Sequence, residues 1–60
     1  LFDPTNAPWW IGLGIAYQTH SQPKNALDAF RHAHRVSKEH APYIEYIEKQ
    51  ISEISKDYIL

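Results

Sequence analysis

Apolar positions along the chain recur at intervals of three and four, and no stretch alternates apolar with polar residues. That spacing belongs to helices with one buried stripe and gives no support to strands. Prolines at positions 4, 8, 23 and 42 punctuate the pattern. Proline suits the first turn of a helix, where its missing N–H costs nothing, and is disruptive further in. The chain therefore divides into an arm, Leu1 to Asn6, and three predicted helices. Helix A is predicted over about 7–20, with Asn6 as N-cap ahead of Pro8. Ser21-Gln22-Pro23 reads as a turn in which Ser21 or Gln22 caps helix B, predicted over about 23–40. Pro42 is expected to open helix C, which continues to about residue 57.

Each predicted helix carries one stripe. In helix A it is Trp10, Leu13, Gly14 and Tyr17. In helix B it is Ala26, Leu27, Phe30, Ala33 and Val36 or Ser37. In helix C it is Ile44, Ile47, Ile51, Ile54 and Tyr58. Short loops imply antiparallel neighbours, so the expected fold is all-α, a helical hairpin followed by a third helix.

An internal repeat runs through this pattern. Ala7-Pro8-Trp9-Trp10 and Ala41-Pro42-Tyr43-Ile44 lie 34 positions apart. The same offset aligns Leu13 with Ile47, Tyr17 with Ile51 and His20 with Ile54. A fixed period with a helix–turn–helix in each unit marks a solenoid. The unit resembles the tetratricopeptide repeat. Trp10, Leu13, Gly14 and Tyr17 meet its W-x2-L-G-x2-Y pattern, and Ala26, Phe30 and Ala33 meet the A-x3-F-x2-A of its second helix. The resemblance implies a junction from a preceding repeat at residues 1–6, a hairpin over 7–40 and a capping helix over 41–60 of an α-solenoid fragment. It also implies a longer parent protein upstream of Leu1. Two departures stand out. The family's proline near the end of helix B falls at Lys38, so helix B is expected to run on towards Pro42. Its glycine position in helix C is Glu48, whose charge blocks close approach of a further helix, as a solvating cap requires. Glu45, Lys49, Glu53 and Lys56 add to that cap.

The positions also make sense without the family. Gly14 and Ala26 lack bulk and let helices A and B approach closely, with Ala33 doing the same further along. Trp10, Leu13, Tyr17 and Phe30 fill the space between helices and towards a neighbouring unit. Tandem tryptophans before Gly-Leu-Gly, and a last helix opening on Tyr-Ile-Glu, are further similar to C-terminal repeats of bacterial pilus-biogenesis proteins of the MSHA type. That likeness implies an inner-membrane-anchored parent with the repeat in the periplasm.

Composition narrows the function. The chain has 60 residues, 43% hydrophobic and 22% charged, which describes one small globular domain and not a disordered segment. A net charge of −1, from six basic and seven acidic side chains, argues against a nucleic-acid binder. No apolar run reaches the roughly 20 residues of a membrane span. With no cysteine there is no disulfide framework and no thiolate metal site. No nucleophile elbow or glycine-rich phosphate loop is present, and Gly12 and Gly14 fall inside helix A, where they serve packing. No catalytic residue and no cofactor is expected. His32 and His34 are two apart and His34 and His40 six apart, so none has the i, i+4 spacing of a shared metal ion. Arg31, Arg35 and Lys38 form a basic stripe, read as a dock for an acidic partner or, more simply, as a solvated face near a helix C-terminus.

What remains is recognition of protein by protein. In tetratricopeptide arrays the concave face is lined by first-helix residues that do not face the second helix. Here the resemblance places Ile11, Ile15 and Gln18 there, continued by Glu45, Lys49 and Ser52. Ile11 and Ile15 donate no hydrogen bonds, which disfavours a carboxylate-clamping site and suits an apolar helix or loop. A preceding repeat or a second copy covering this stripe is the alternative. Ile54, Tyr58, Ile59 and Leu60 extend beyond what a short hairpin covers, which predicts self-association as a homodimer. The expected function is a non-catalytic interaction module, with a purely structural C-terminal cap of a longer solenoid as the alternative. The expected partner is another protein or a second copy, not nucleic acid, and without direct membrane insertion.

Overall fold

The computed structural model describes residues 5–37 and 41–58, the last two by backbone alone. Among the described residues there are three helices: α1, Ala7–Thr19; α2, Pro23–Val36; and α3, Ile44–Tyr58. No strand occurs among the described residues. The protein is all-α, as the three-and-four spacing requires.

Local chemistry sets the helix ends. Asn6 caps α1 as expected: its backbone is extended, and its Oδ1 accepts the Trp9 N–H at 3.2 Å. The end of α1 lacks the glycine that usually makes such a turn. Ser21 takes the left-handed conformation, with φ 57°. Its N–H donates to the Gln18 carbonyl at 3.0 Å, and the Gln22 N–H donates to the Tyr17 carbonyl at 2.9 Å. This pair of crossed bonds is a Schellman motif, and it satisfies carbonyls the helix leaves unpaired. A side chain in this region costs about 1 kcal/mol. Ser21→Gly is therefore expected to raise stability by about 0.5–1 kcal/mol, or a few degrees in Tm. A thermal melt showing a lower Tm would exclude strain at this turn.

Gln22 holds the N-cap position of α2 but makes no side-chain cap bond; its Oε1 accepts instead from Asn25 Nδ2 at 2.7 Å. The predicted extension of helix B to about residue 40 is not found. α2 stops at Val36, because Ser37 turns extended at φ −74° and ψ 148°. The Ser37 hydroxyl donates back to the Ala33 carbonyl, drawing its side chain onto the helix end. Lys38 and His40 lie outside the described residues, as does the junction segment 1–4. Pro42 does not open helix C either. It lies in a turn closed by the Ile44 N–H on the Ala41 carbonyl at 3.1 Å, and α3 begins at Ile44.

α2 packs against both other helices, while α1 and α3 meet only slightly. Trp10 meets His32 and Gly14 meets Phe30, so α1 and α2 run antiparallel. Glu48 meets His34 while Ile54 lies beside Pro23, so α3 is antiparallel to α2 as well. Ala26, Leu27, Phe30 and Ala33 of α2 join Ile47 and Ile54 of α3 in one buried cluster, and Phe30 and Ile47 are fully buried. Trp10, Ile11, Tyr17, Tyr43 and Ile51 pack around it. Ala29, which the stripe pattern did not include, is buried too. The molecule measures only 14 Å across its thinnest dimension. α2 is flanked on two sides, while α1 and α3 each pack chiefly against α2.

Candidate protein-interaction surface

α1 is the unusual element. Its 13 residues, APWWIGLGIAYQT, include no charged side chain. Its apolar residues are distributed around the whole circumference, whereas those of α2 and α3 gather on one side. A helix apolar all round is ordinarily covered all round. Here α2 covers one side only. Trp9 remains 45% exposed and Ile15 43% exposed, the two largest exposures of bulky apolar side chains among the described residues.

The residues predicted to line the concave groove divide. Ile15, Glu45 and Lys49 are exposed. Gln18 is exposed too, and its Nε2 donates to Gln50 Oε1 at 3.1 Å, tying α1 to α3. Ile11 does not belong with them. It is half-buried and packs against the core cluster. Because α1 is apolar on every side, its spacing gave no direction for choosing which isoleucine faces inward. Below Gln18 the surface dips into a recess of about 240 Å³ lined by Ser21, Gln22, Pro23 and Ile54.

The predicted self-association patch is also divided. Ile54 is only 7% exposed and belongs to the core cluster, so it is not available to a second copy. The recess residues Gln22 and Pro23 show why: α3 runs back along α2 as far as the α1–α2 turn, further than a short hairpin suggests. The side chain of Tyr58, and Ile59 and Leu60 entirely, lie outside the described residues.

A second groove, missed by the sequence reading, follows the outer seam of α1 and α2. It holds about 180 Å³ and is lined by Trp10, Leu13, Tyr17, Asn25, Asp28, Ala29 and His32. Trp10 stacks on His32 with ring centroids 4.0 Å apart and planes 22° from parallel. Trp9 meets Trp10 edge-on at 5.0 Å. On this side Pro8, Trp9, Gly12 and Leu13 line a further shallow recess. The tandem tryptophans were the visible signal. The contributions of Asp28 and His32 depend on how α2 is rotated, which spacing on α1 does not reveal.

Two histidines make tertiary contacts, His32 in the stack and His34 Nε2 3.2 Å from Glu48 Oε2 on the exposed α2–α3 edge; His20 is exposed. Arg31 and Arg35 are exposed. Among the described residues no cluster of three or more potential ligands gathers for a metal ion. No described helix is long and apolar enough to cross a membrane. No family model, curated protein or solved structure matches the chain.

Proposed function

We propose that the chain is a non-catalytic protein–protein interaction module, a tetratricopeptide-type hairpin with a capping third helix, that engages a partner segment through α1. The observation that carries this reading is the uncharged, all-round apolar character of α1 combined with cover on one side alone. Such a surface gains free energy when another protein removes it from water. The 34-residue internal offset and the spacing of Trp10, Leu13, Gly14, Tyr17, Ala26, Phe30 and Ala33 support the repeat assignment. On α1, the 43% exposed Ile15 offers an aliphatic anchor, and Glu45 and Lys49 are exposed on α3.

Ile15→Asp is expected to weaken partner binding by the parent protein by about tenfold, the result of putting a charge into an apolar contact. The helical circular dichroism should stay unchanged, because Ile15 lies outside the core cluster. Ile11→Asp, by contrast, is expected to lower stability. Equal partner affinity with and without Asp at position 15 would move the contact off Ile15.

A structural end-cap is the second reading, favoured by α3: Ile47 and Ile54 face the core while Glu45, Glu48, Lys49, Glu53 and Lys56 are exposed. Removing these 60 residues from the parent separates the two. Loss of the partner supports the module, and loss of solubility alone supports the cap.

A further inference from the structure

We propose that the outer groove between α1 and α2 seats one amphipathic helix of α2's own chemistry, with small and aromatic residues in a stripe and basic residues beside it. This rests on the interaction-module reading and names the kind of partner.

The internal offset supplies the argument. On α3, Ile47 and Ile54 are buried in the cluster and Ile51 packs against it, all covered by α2 through Ala26, Phe30 and Ala33. Their counterparts 34 positions earlier are Leu13, His20 and Tyr17. Leu13 and Tyr17, with Trp10, line the outer groove. The register that α2 covers on one helix thus lines an unfilled groove on the other, where Trp10 and Tyr17 pack in part against the core cluster and in part border the groove. His20 is polar and exposed where Ile54 is buried, so the seat spans Trp10 to Tyr17, about two helical turns.

Charge selects the occupant further. Asp28 lies in the groove, no Lys or Arg lines it, and α1 contributes no charge. The Asp28 carboxylate has no ion pair among the described residues. A basic edge on the incoming helix complements it, as Arg31 and Arg35 flank the stripe of α2. A second α1 brings no such edge, which disfavours a symmetric pairing of two copies through this groove.

The test uses a peptide of residues 23–36 of this chain, held helical by a lactam between its Lys24 and Asp28 side chains, both exposed on α2. Both tryptophans sit on α1, so intrinsic fluorescence reports on the site directly. Saturable binding with a Kd below about 100 μM and a blue shift is expected. In the protein, Leu13→Asp should weaken it by about tenfold, and Asp28→Asn by about two- to threefold with reduced salt dependence. Asn25→Arg, at an exposed groove position, should also weaken it and covers the case in which Leu13→Asp unfolds. Glu53→Gln on α3 should leave it unchanged. No saturation by about 1 mM, or equal binding by Leu13→Asp and Asn25→Arg, overturns the seat. Dimerisation of the chain alone that Asn25→Arg abolishes would make the occupant a second copy and overturn the choice made here. If the peptide fails while Ile15→Asp still costs the parent its partner, the module reading stands and the groove assignment falls.

Discussion

Phe30→Ala is expected to lower stability by about 3–5 kcal/mol, the largest effect of any single truncation in the chain. The ring is fully buried in α2, the helix shared by both packing interfaces. On one side it fills the space in front of Gly14 of α1. On the other it meets Tyr46 of α3 edge-to-face, with centroids 6.3 Å apart. Removing it opens a cavity at the point where all three helices converge, and no neighbour can collapse into both halves at once. A chain of 60 residues has a total stability of about 3–9 kcal/mol, so the loss takes most of it. Far-ultraviolet circular dichroism should show the variant largely unfolded at 25 °C, or melting far below the parent sequence. Phe30→Leu keeps most of the volume and should cost about 1–2 kcal/mol. Equal melting temperatures for Phe30→Ala and the parent sequence would show that the core lies elsewhere.

Ala26, Ala33 and Ile47, the other fully enclosed positions of the cluster, were legible for the same reason as Phe30. α2 and α3 have charged faces, so the apolar stripe has edges, and its direction can be read. α1 has none. Gly14, lacking a side chain, was legible as a place where α1 comes close to α2, but the spacing leaves Ile11 and Ile15 equivalent. The structure separates them: Ile11 turns to the core and Ile15 to solvent. Charge on the opposite face is thus what makes a helical stripe informative, and the helix most relevant to recognition is the one that lacks it.

The helix ends follow a similar logic. Asn6 was legible because an N-cap works through its own side chain. The end of α1 near His20 and the turn at Ser21-Gln22-Pro23 were legible as well; what no residue type announces is the left-handed conformation of Ser21, held by its own N–H on the Gln18 carbonyl and by the Gln22 N–H on the Tyr17 carbonyl. Proline proved ambiguous. Pro8 and Pro23 occupy first turns, while Pro42 stands two residues before its helix. A fixed φ suits both places. The burial of Ile54 depends on how far α3 runs beside α2, a tertiary quantity with no local signature.

The two glycines of α1 should respond to the same substitution with opposite signs. A Cβ added at Gly14 would lie 2.8, 2.9 and 3.0 Å from Cζ, Cε2 and Cδ2 of Phe30. These are overlaps, and the ring is fully buried with Tyr46 on its other side. Alanine gains about 1 kcal/mol of helix propensity over glycine, but forcing the helices apart costs about 1–3 kcal/mol and the loss of contact along α1 adds to it. Gly14→Ala is therefore expected to destabilise by about 1–2 kcal/mol net. At Gly12 a Cβ meets nothing within 4 Å, so Gly12→Ala keeps the propensity gain and should stabilise by about 0.5–1 kcal/mol. Denaturant unfolding of the two variants should bracket the parent sequence, separated by about 1.5–3 kcal/mol. If Gly14→Ala were as stabilising as Gly12→Ala, α1 would not approach Phe30. The coupling can be read directly. Phe30→Leu withdraws the ring atoms that the new methyl meets, so the double variant Gly14→Ala with Phe30→Leu should cost less than the sum of the two single changes. Additivity would mean that the penalty at position 14 comes from some contact other than the ring.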